Sequence, residues 1–162
     1  MSEPVHRITT PVRLEYTVSA GRAPSRFLAG IAEGRLLGQR CPHCAKVYVP
    51  PRGSCPTCGV PTEEEVRLAD TGTVTTFCIV NVPFMGQAVR PPYACASILL
   101  DGADIPLFHM VRGVPVEDVR MGMRVEAVWA APDERGPTME SISHFRATGE
   151  PDAAYESYRE HL

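Results

Sequence analysis

Cys41-Pro42-His43-Cys44 and, after a gap of ten residues, Cys55-Pro56-Thr57-Cys58 decide how this chain folds. A C-x-x-C turn lets two thiolates converge on one ion. Two such turns joined by a hairpin complete a tetrahedral cage with metal–sulfur bonds of about 2.3 Å. That is the pattern of a zinc ribbon. The residues between the turns predict two short strands, 45–49 and 52–54, bent at Pro50 and Pro51. Proline within each pair and Gly59 after the second suit tight turns, because proline fixes φ and glycine tolerates positive φ. Ala45 holds the matching place in the first turn and suits it less well. The doubled spacing favours a metal over a redox pair or disulfides. Zinc is expected at Cys41, Cys44, Cys55 and Cys58, and iron suits the same four sulfurs. A closed four-thiolate site has no open position for water or substrate, so this metal should fold the chain and not catalyse.

The 162 residues predict one or two small domains, and 44% apolar residues suffice for a core. A net charge of −3 argues against a dedicated nucleic-acid binder, which usually carries a basic excess. No stretch approaches the roughly 20 apolar residues that span a bilayer. The first ten residues lack the apolar centre of a signal peptide. Together with zinc-type cysteine spacing, this predicts a reducing, cytoplasmic setting. Cys78 and Cys95 lie in apolar, strand-like runs and read as small buried hydrophobes.

Residues 1–24, with Pro4, Pro11, Gly21 and Pro24 and the alternating run Val12-Arg13-Leu14-Glu15-Tyr16-Thr17-Val18, predict an extended arm that adds a strand to a neighbour. Ser25 is placed to cap a helix over 25–33 whose apolar face is Phe27, Leu28 and Ile31. Residues 36–40 then run as a strand into the first turn. From Val66 the pattern becomes that of strands, at 71–82, 93–100, 105–111, 123–130 and 140–147. A Pro/Gly-rich loop spans 81–92, Asp101-Gly102 is a turn, and a short helical connector covers 116–120. Five short antiparallel strands with a helical interruption between the third and fourth fit a small OB-type barrel, with an SH3-like barrel or open sandwich as the alternative. Residues 151–162 are polar and helix-compatible, with Tyr155 and Tyr158 three apart. The expected organisation is an arm over 1–24, helix and ribbon over 25–65, a barrel over 66–148 and a helical tail over 149–162. The fold class is therefore mainly β.

The ordered set Arg26-Phe27, Glu33-Gly34-Arg35-Leu36, Gln39-Arg40-Cys41-x-x-Cys44, Pro50-Pro51-Arg52 and Cys55-Pro56-x-Cys58-Gly59 resembles the rubredoxin-like ribbon half of the DUF35 family of zinc-ribbon, OB-fold, acyl-CoA-associated proteins. Gly72-Thr73-Val74, Pro92-Tyr93, Leu100-Asp101-Gly102 and Gly122-Met123-Arg124-Val125 resemble its OB half. The match covers roughly residues 25–148. Ala45 in place of glycine, the N-terminal arm and the C-terminal tail depart from the pattern. The resemblance implies an accessory subunit beside a thiolase-like enzyme, whether thiolase, acyltransferase or steroid side-chain aldolase. A MaoC-like enoyl-CoA hydratase is the other partner class it implies. It further implies that the barrel helps to hold a coenzyme A thioester and that the helix and ribbon dock the partner.

The residues themselves show no nucleophile–base pair, so turnover is expected only within a complex. His43 should face solvent or stand behind the ligands. His109 and His144 read as barrel histidines, and Asp101 with Asp104 as turn residues. Arginine suits phosphate through its bidentate fork, which makes Arg90 and Arg112 the candidate coenzyme A contacts. Phe84 and Met85 offer apolar surface at a loop tip. Phe27 and Ile31 are the expected partner anchors, because a small ribbon gives that helix little to cover. A ribbon and barrel that bind single-stranded nucleic acid is the competing reading, and an autonomous hydrolase or redox protein a third. The first of these needs a basic groove with stacking aromatics, which an acidic chain supplies poorly.

Overall fold

Gln39 and Arg40 pair with Tyr48 and Val47 on one side and with Glu65 and Glu64 on the other, so Leu37–Arg40 (β1) is the middle of a three-stranded antiparallel sheet. Its neighbours are Val47–Tyr48 (β2) and Glu64–Arg67 (β3). This is a computed structural model, and it describes residues 13–162. The expected second ribbon strand at 52–54 is not formed. Ser54 makes a lone bridge to Pro61, and the chain returns instead as β3 beside β1. Gly38 permits this close packing, since a Cβ there would meet Val47 Cγ1 at 2.7 Å.

The helix is Arg22–Ala32 (α1), capped at Gly21, whose φ is 71°. It starts three residues before Ser25, which sits in the first turn and donates its hydroxyl to the Gly21 carbonyl. Pro24 does not delay the start, because a first-turn residue has no helical acceptor for its missing N–H. The part of the predicted arm at 1–12 lies outside the described residues. Residues 13–21 form no strand, and Leu14, Tyr16 and Val18 are exposed.

Five further strands close a barrel: Thr71–Val80 (β4), Tyr93–Leu100 (β5), Leu107–Arg112 (β6), Arg124–Trp129 (β7) and Ile142–Ala147 (β8). Their order is β4-β5-β6-β8-β7, with β6 and β8 parallel and the other neighbours antiparallel. This is an OB-fold barrel, and a single 3-10 turn at Val116–Asp118 takes the place of a helix between its third and fourth strands. The alternation of β5 is complete: Ala94, Ala96, Ile98 and Leu100 point in and are buried.

One apolar core runs through both halves. Phe27 and Ile31 of α1, Leu36, and Val47 and Val49 of the ribbon belong to the same buried cluster as Val74, Ile98, Val125 and Phe145 of the barrel. Phe27 is 2% exposed and Ile31 0%, so neither is free to anchor a partner. The helix covers the chain's own core, because ribbon and barrel share an apolar seam that composition alone does not reveal. Polar contacts lock the seam. Asp104 Oδ2 accepts from the Val47 amide at 2.8 Å, and the Asp104 amide donates to the Val47 carbonyl at 2.9 Å. Asp101, read as a turn residue, takes both guanidinium nitrogens of Arg124, at 2.8 and 2.6 Å, and this pairing holds its carboxyl below the usual carboxylate range. The C-terminal segment forms two 3-10 turns, Tyr155–Ser157 and Arg159–His161, in place of a regular helix. It packs on the barrel through buried Tyr158 and a bidentate Arg120–Asp152 pair. Among the described residues no helix is long and apolar enough to cross a membrane.

Candidate metal centre and arginine cleft

The two C-x-x-C turns are built alike. In each, the first cysteine's carbonyl accepts from the residue four on, Ala45 or Gly59, at 3.0 and 2.9 Å. The first cysteine's sulfur accepts the amide of the second, Cys44 to Cys41 at 3.4 Å and Cys58 to Cys55 at 3.3 Å. Such amides steady a thiolate and aim it at a common point. The Sγ atoms of Cys41, Cys44, Cys55 and Cys58 all lie within 4.8 Å of one another. A tetrahedron with 2.3 Å bonds needs sulfurs about 3.8 Å apart, and Cys44 and Cys55 stand at 3.7 Å. The residues therefore fit a structural zinc. His43 is exposed beside the ligands.

The positive-φ requirement is visible in both turns. Gly59 has φ 68°, and Ala45 adopts φ 60° at an exposed position. An L-residue in this conformation costs about 1–2 kcal/mol, part of which glycine returns as chain entropy in the unfolded state. Ala45→Gly should raise stability by about 0.5–1 kcal/mol, read as a higher urea midpoint at unchanged slope and zinc content. No gain would mean that the first turn is not strained.

Tyr48 is a member of the site that its sequence position did not announce. Its hydroxyl, 2% exposed with the rest of the side chain, donates to Cys55 Sγ at 3.2 Å. The only signal was strand alternation: Val47 and Val49 enter the apolar core, so Tyr48 between them faces the cysteines. Without metal, Cys55 and Cys58 titrate apart. The Tyr48 hydroxyl, with further help from backbone amides, draws Cys55 down to about 6, whereas Cys44 and the other neighbouring sulfurs push Cys58 up to about 12. A bound dication deprotonates all four and removes this disparity.

Arg90 and Arg112, far apart in sequence, line one open cleft of about 270 Å³ with Pro92, Tyr93, Val114 and Val116. Gln87 steadies the loop above it, accepting from the Phe84 amide at 3.2 Å and donating to the Tyr93 hydroxyl at 3.1 Å. Phe84 is 62% exposed and lies outside the lining, and Met85 is fully exposed at the loop tip. His109 packs edge-on against Phe145, and burial holds its pKa below the ordinary imidazole value. Its Nδ1 is buried with no hydrogen-bond partner among the described residues. His144 stands half-buried beside Ser143, its pKa lowered by burial and then by Arg112.

Cys78 and Cys95 are not core residues. Cys78 is exposed and Cys95 half-buried, both on the outer barrel face. A bulge between Val74 and Thr76 inverts the in–out parity of β4, so Cys78 points out although Val74, four residues earlier, points in.

Comparison with known proteins places these features among relatives. Residues 28–64 match the family described as ChsH2, rubredoxin-like zinc ribbon domain, and residues 65–130 match ChsH2, C-terminal OB-fold domain. A DUF35 domain-containing scaffold protein of Methanocaldococcus jannaschii is 39% identical over 102 residues, covering 62% of this chain and 72% of that protein. A probable enoyl-CoA hydratase alpha subunit of Thermomonospora curvata is 30% identical over 99 residues, 61% of this chain and 30% of that longer protein. Among solved structures, an Ltp2-ChsH2(DUF35) aldolase chain superposes with a TM-score of 0.61 at 24% identity, covering 81% of this chain and 98% of its own. A DUF35 protein of Sulfolobus solfataricus gives 0.59 at 21% identity, covering 78% and 84%. At these identities the structural likenesses concern the fold.

Proposed function

This chain belongs to the DUF35 family, and from that premise we propose that it is a non-catalytic accessory subunit of an acyl-CoA-processing complex. It docks on a thiolase-like enzyme and contributes part of the site that holds a coenzyme A thioester. The scaffold role is supported by the Methanocaldococcus relative, which is described as a scaffold protein and is matched over 72% of its length. The thioester role rests on one observation, the meeting of Arg90 and Arg112 in a single cleft beside Tyr93. Two guanidinium forks suit the phosphates of coenzyme A, and the apolar wall of Val114 and Val116 suits its pantetheine arm. Exposed Phe84 and Met85, on the loop above, extend that apolar surface toward the partner.

The partner contact falls to the exposed arm, where Leu14, Tyr16 and Val18 stand at alternate sequence positions with 77%, 78% and 68% exposure. On binding, this segment would add a strand to a neighbour's sheet and seat alternate side chains in its pockets. A MaoC-like hydratase is the second partner class, favoured by the Thermomonospora relative. Reduced zinc thiolates suit a cytoplasmic setting.

The test is coexpression with a thiolase-like acyl-CoA enzyme of the same organism, followed by acetyl-CoA binding to the purified complex. Arg112→Gln should leave the complex assembled and weaken acetyl-CoA by about tenfold or more, the worth of a charge-assisted phosphate contact. Unchanged affinity in the Arg90→Gln, Arg112→Gln double variant would remove the cleft from the coenzyme A site. Steady acyl-CoA turnover by the isolated chain would overturn the accessory role.

A further inference from the structure

Three sulfurs stand in one row on the outside of the barrel. Cys78 of β4 is directly opposite Cys95 of β5, and Cys95 is directly opposite Met110 of β6. Residues opposite one another across neighbouring strands share a face. That face is the outer one here, since Ala94, Ala96 and Val111, which flank the row along their strands, are buried in the core. Both thiols are free, and Cys78 is exposed. Burial, then the neighbouring Cys78, pushes the Cys95 thiol up. The Met110 sulfur lies on the same face, 3.8 Å from an Arg112 guanidinium nitrogen, on a side chain flexible enough to swing toward Cys95.

We propose that Cys78 and Cys95, with Met110 as a third donor, form a second metal site that takes a soft monovalent ion of the Cu(I) class, separate from the ribbon zinc. Spacing decides between an ion and a disulfide. Cβ atoms directly opposite across strands lie about 4.5–5.5 Å apart, whereas a disulfide draws them to about 3.8 Å. Closing an S–S bond therefore requires the two strands to approach. A bridging ion with two metal–sulfur bonds of about 2.3 Å spans up to about 4.6 Å between sulfurs and leaves the sheet in place. The donor set decides the ion, because thiolate and thioether together select soft metals such as Cu(I) over harder ones. In the binding step two S–H bonds break, two Cu–thiolate bonds and one Cu–thioether bond form, the acetonitrile ligands leave, and two protons pass to solvent. Copper remains monovalent throughout, so no oxidant or reductant is needed.

The experiment is an anaerobic titration of the full-length, zinc-loaded protein with Cu(I) supplied as its acetonitrile salt, against a bicinchoninate competitor. Zinc and copper are counted together after desalting. Wild-type protein should hold one Cu(I) per chain with its zinc retained. Cys78→Ser and Cys95→Ser should each lose that copper and keep the zinc, and Met110→Leu should weaken it by about tenfold. Cys78 is exposed, so its serine variant tests the site even where Cys95→Ser disturbs the barrel. Copper that enters only as zinc leaves, or that binds Cys78→Ser and Cys95→Ser as it binds the wild type, overturns the site. Unaltered affinity in Met110→Leu overturns the third donor.

Discussion

Cys55→Ser is expected to yield protein without zinc and without a cooperative unfolding transition. Cys55 is buried, accepts from Tyr48 and the Cys58 amide, and stands 3.7 Å from Cys44 within the four-sulfur cluster. Structural zinc contributes on the order of 10 kcal/mol to small zinc domains, as much as the whole net stability of an ordinary domain. The loss should not stay in the ribbon. Val47 and Val49, which the metal holds in place, are in the same core as the barrel strands. Trp129, the single tryptophan, lies in β7 of that barrel and is hydrogen bonded to Asp70 at 3.0 Å. Its emission should shift toward the solvent-exposed value in the variant, or in wild-type protein stripped by a chelator. Elemental analysis of wild-type protein purified without added metal should give about one zinc per chain. A zinc-free Cys55→Ser protein with native Trp129 emission and a sharp melt would show that the metal is dispensable.

Phe27→Ala should destabilise the isolated chain by about 3–5 kcal/mol, and Ile31→Asp should unfold it. Both side chains are sealed in the core shared by helix, ribbon and barrel. Removing the ring leaves a cavity, and the carboxylate introduced at Ile31 has no partner there. Urea unfolding followed at Trp129, with zinc content measured alongside, reads the effect. If Phe27→Ala were as stable as wild type and lost only the capacity to bind a partner enzyme, the helix would be a docking element after all and the packing described above would be wrong. Surface substitutions in the arm, such as Tyr16→Ser, provide the contrast. Tyr16 is 78% exposed, so stability should hold while partner binding changes.

The ribbon was legible because its chemistry is local. Four cysteines at C-x-x-C spacing, proline within each pair and Gly59 behind the second specify two turns whatever surrounds them, and even the poor fit of Ala45 to positive φ follows from its place in the repeat. The barrel strands were legible for a similar reason. Alternation as regular as Tyr93–Leu100 has one way to bury its apolar side, and Asp101-Gly102 ends it in a turn. Tertiary structure decided the rest, wherever a residue's role depends on a neighbour distant in the chain. An apolar helix face does not say whether it covers the chain's own core or another protein. The seam between β2 and the barrel turn, closed by Asp104 fifty-seven residues from Val47, put Phe27 and Ile31 inside. A bulge of one residue in β4 turned Cys78 outward and set it against Cys95 and Met110. The β5–β6 pairing, which sets Ala94 opposite Val111, brought Arg90 and Arg112 to one cleft. Sequence periodicity records which side chains share a face. Which face meets which is set by long-range pairing, whose register no short window contains.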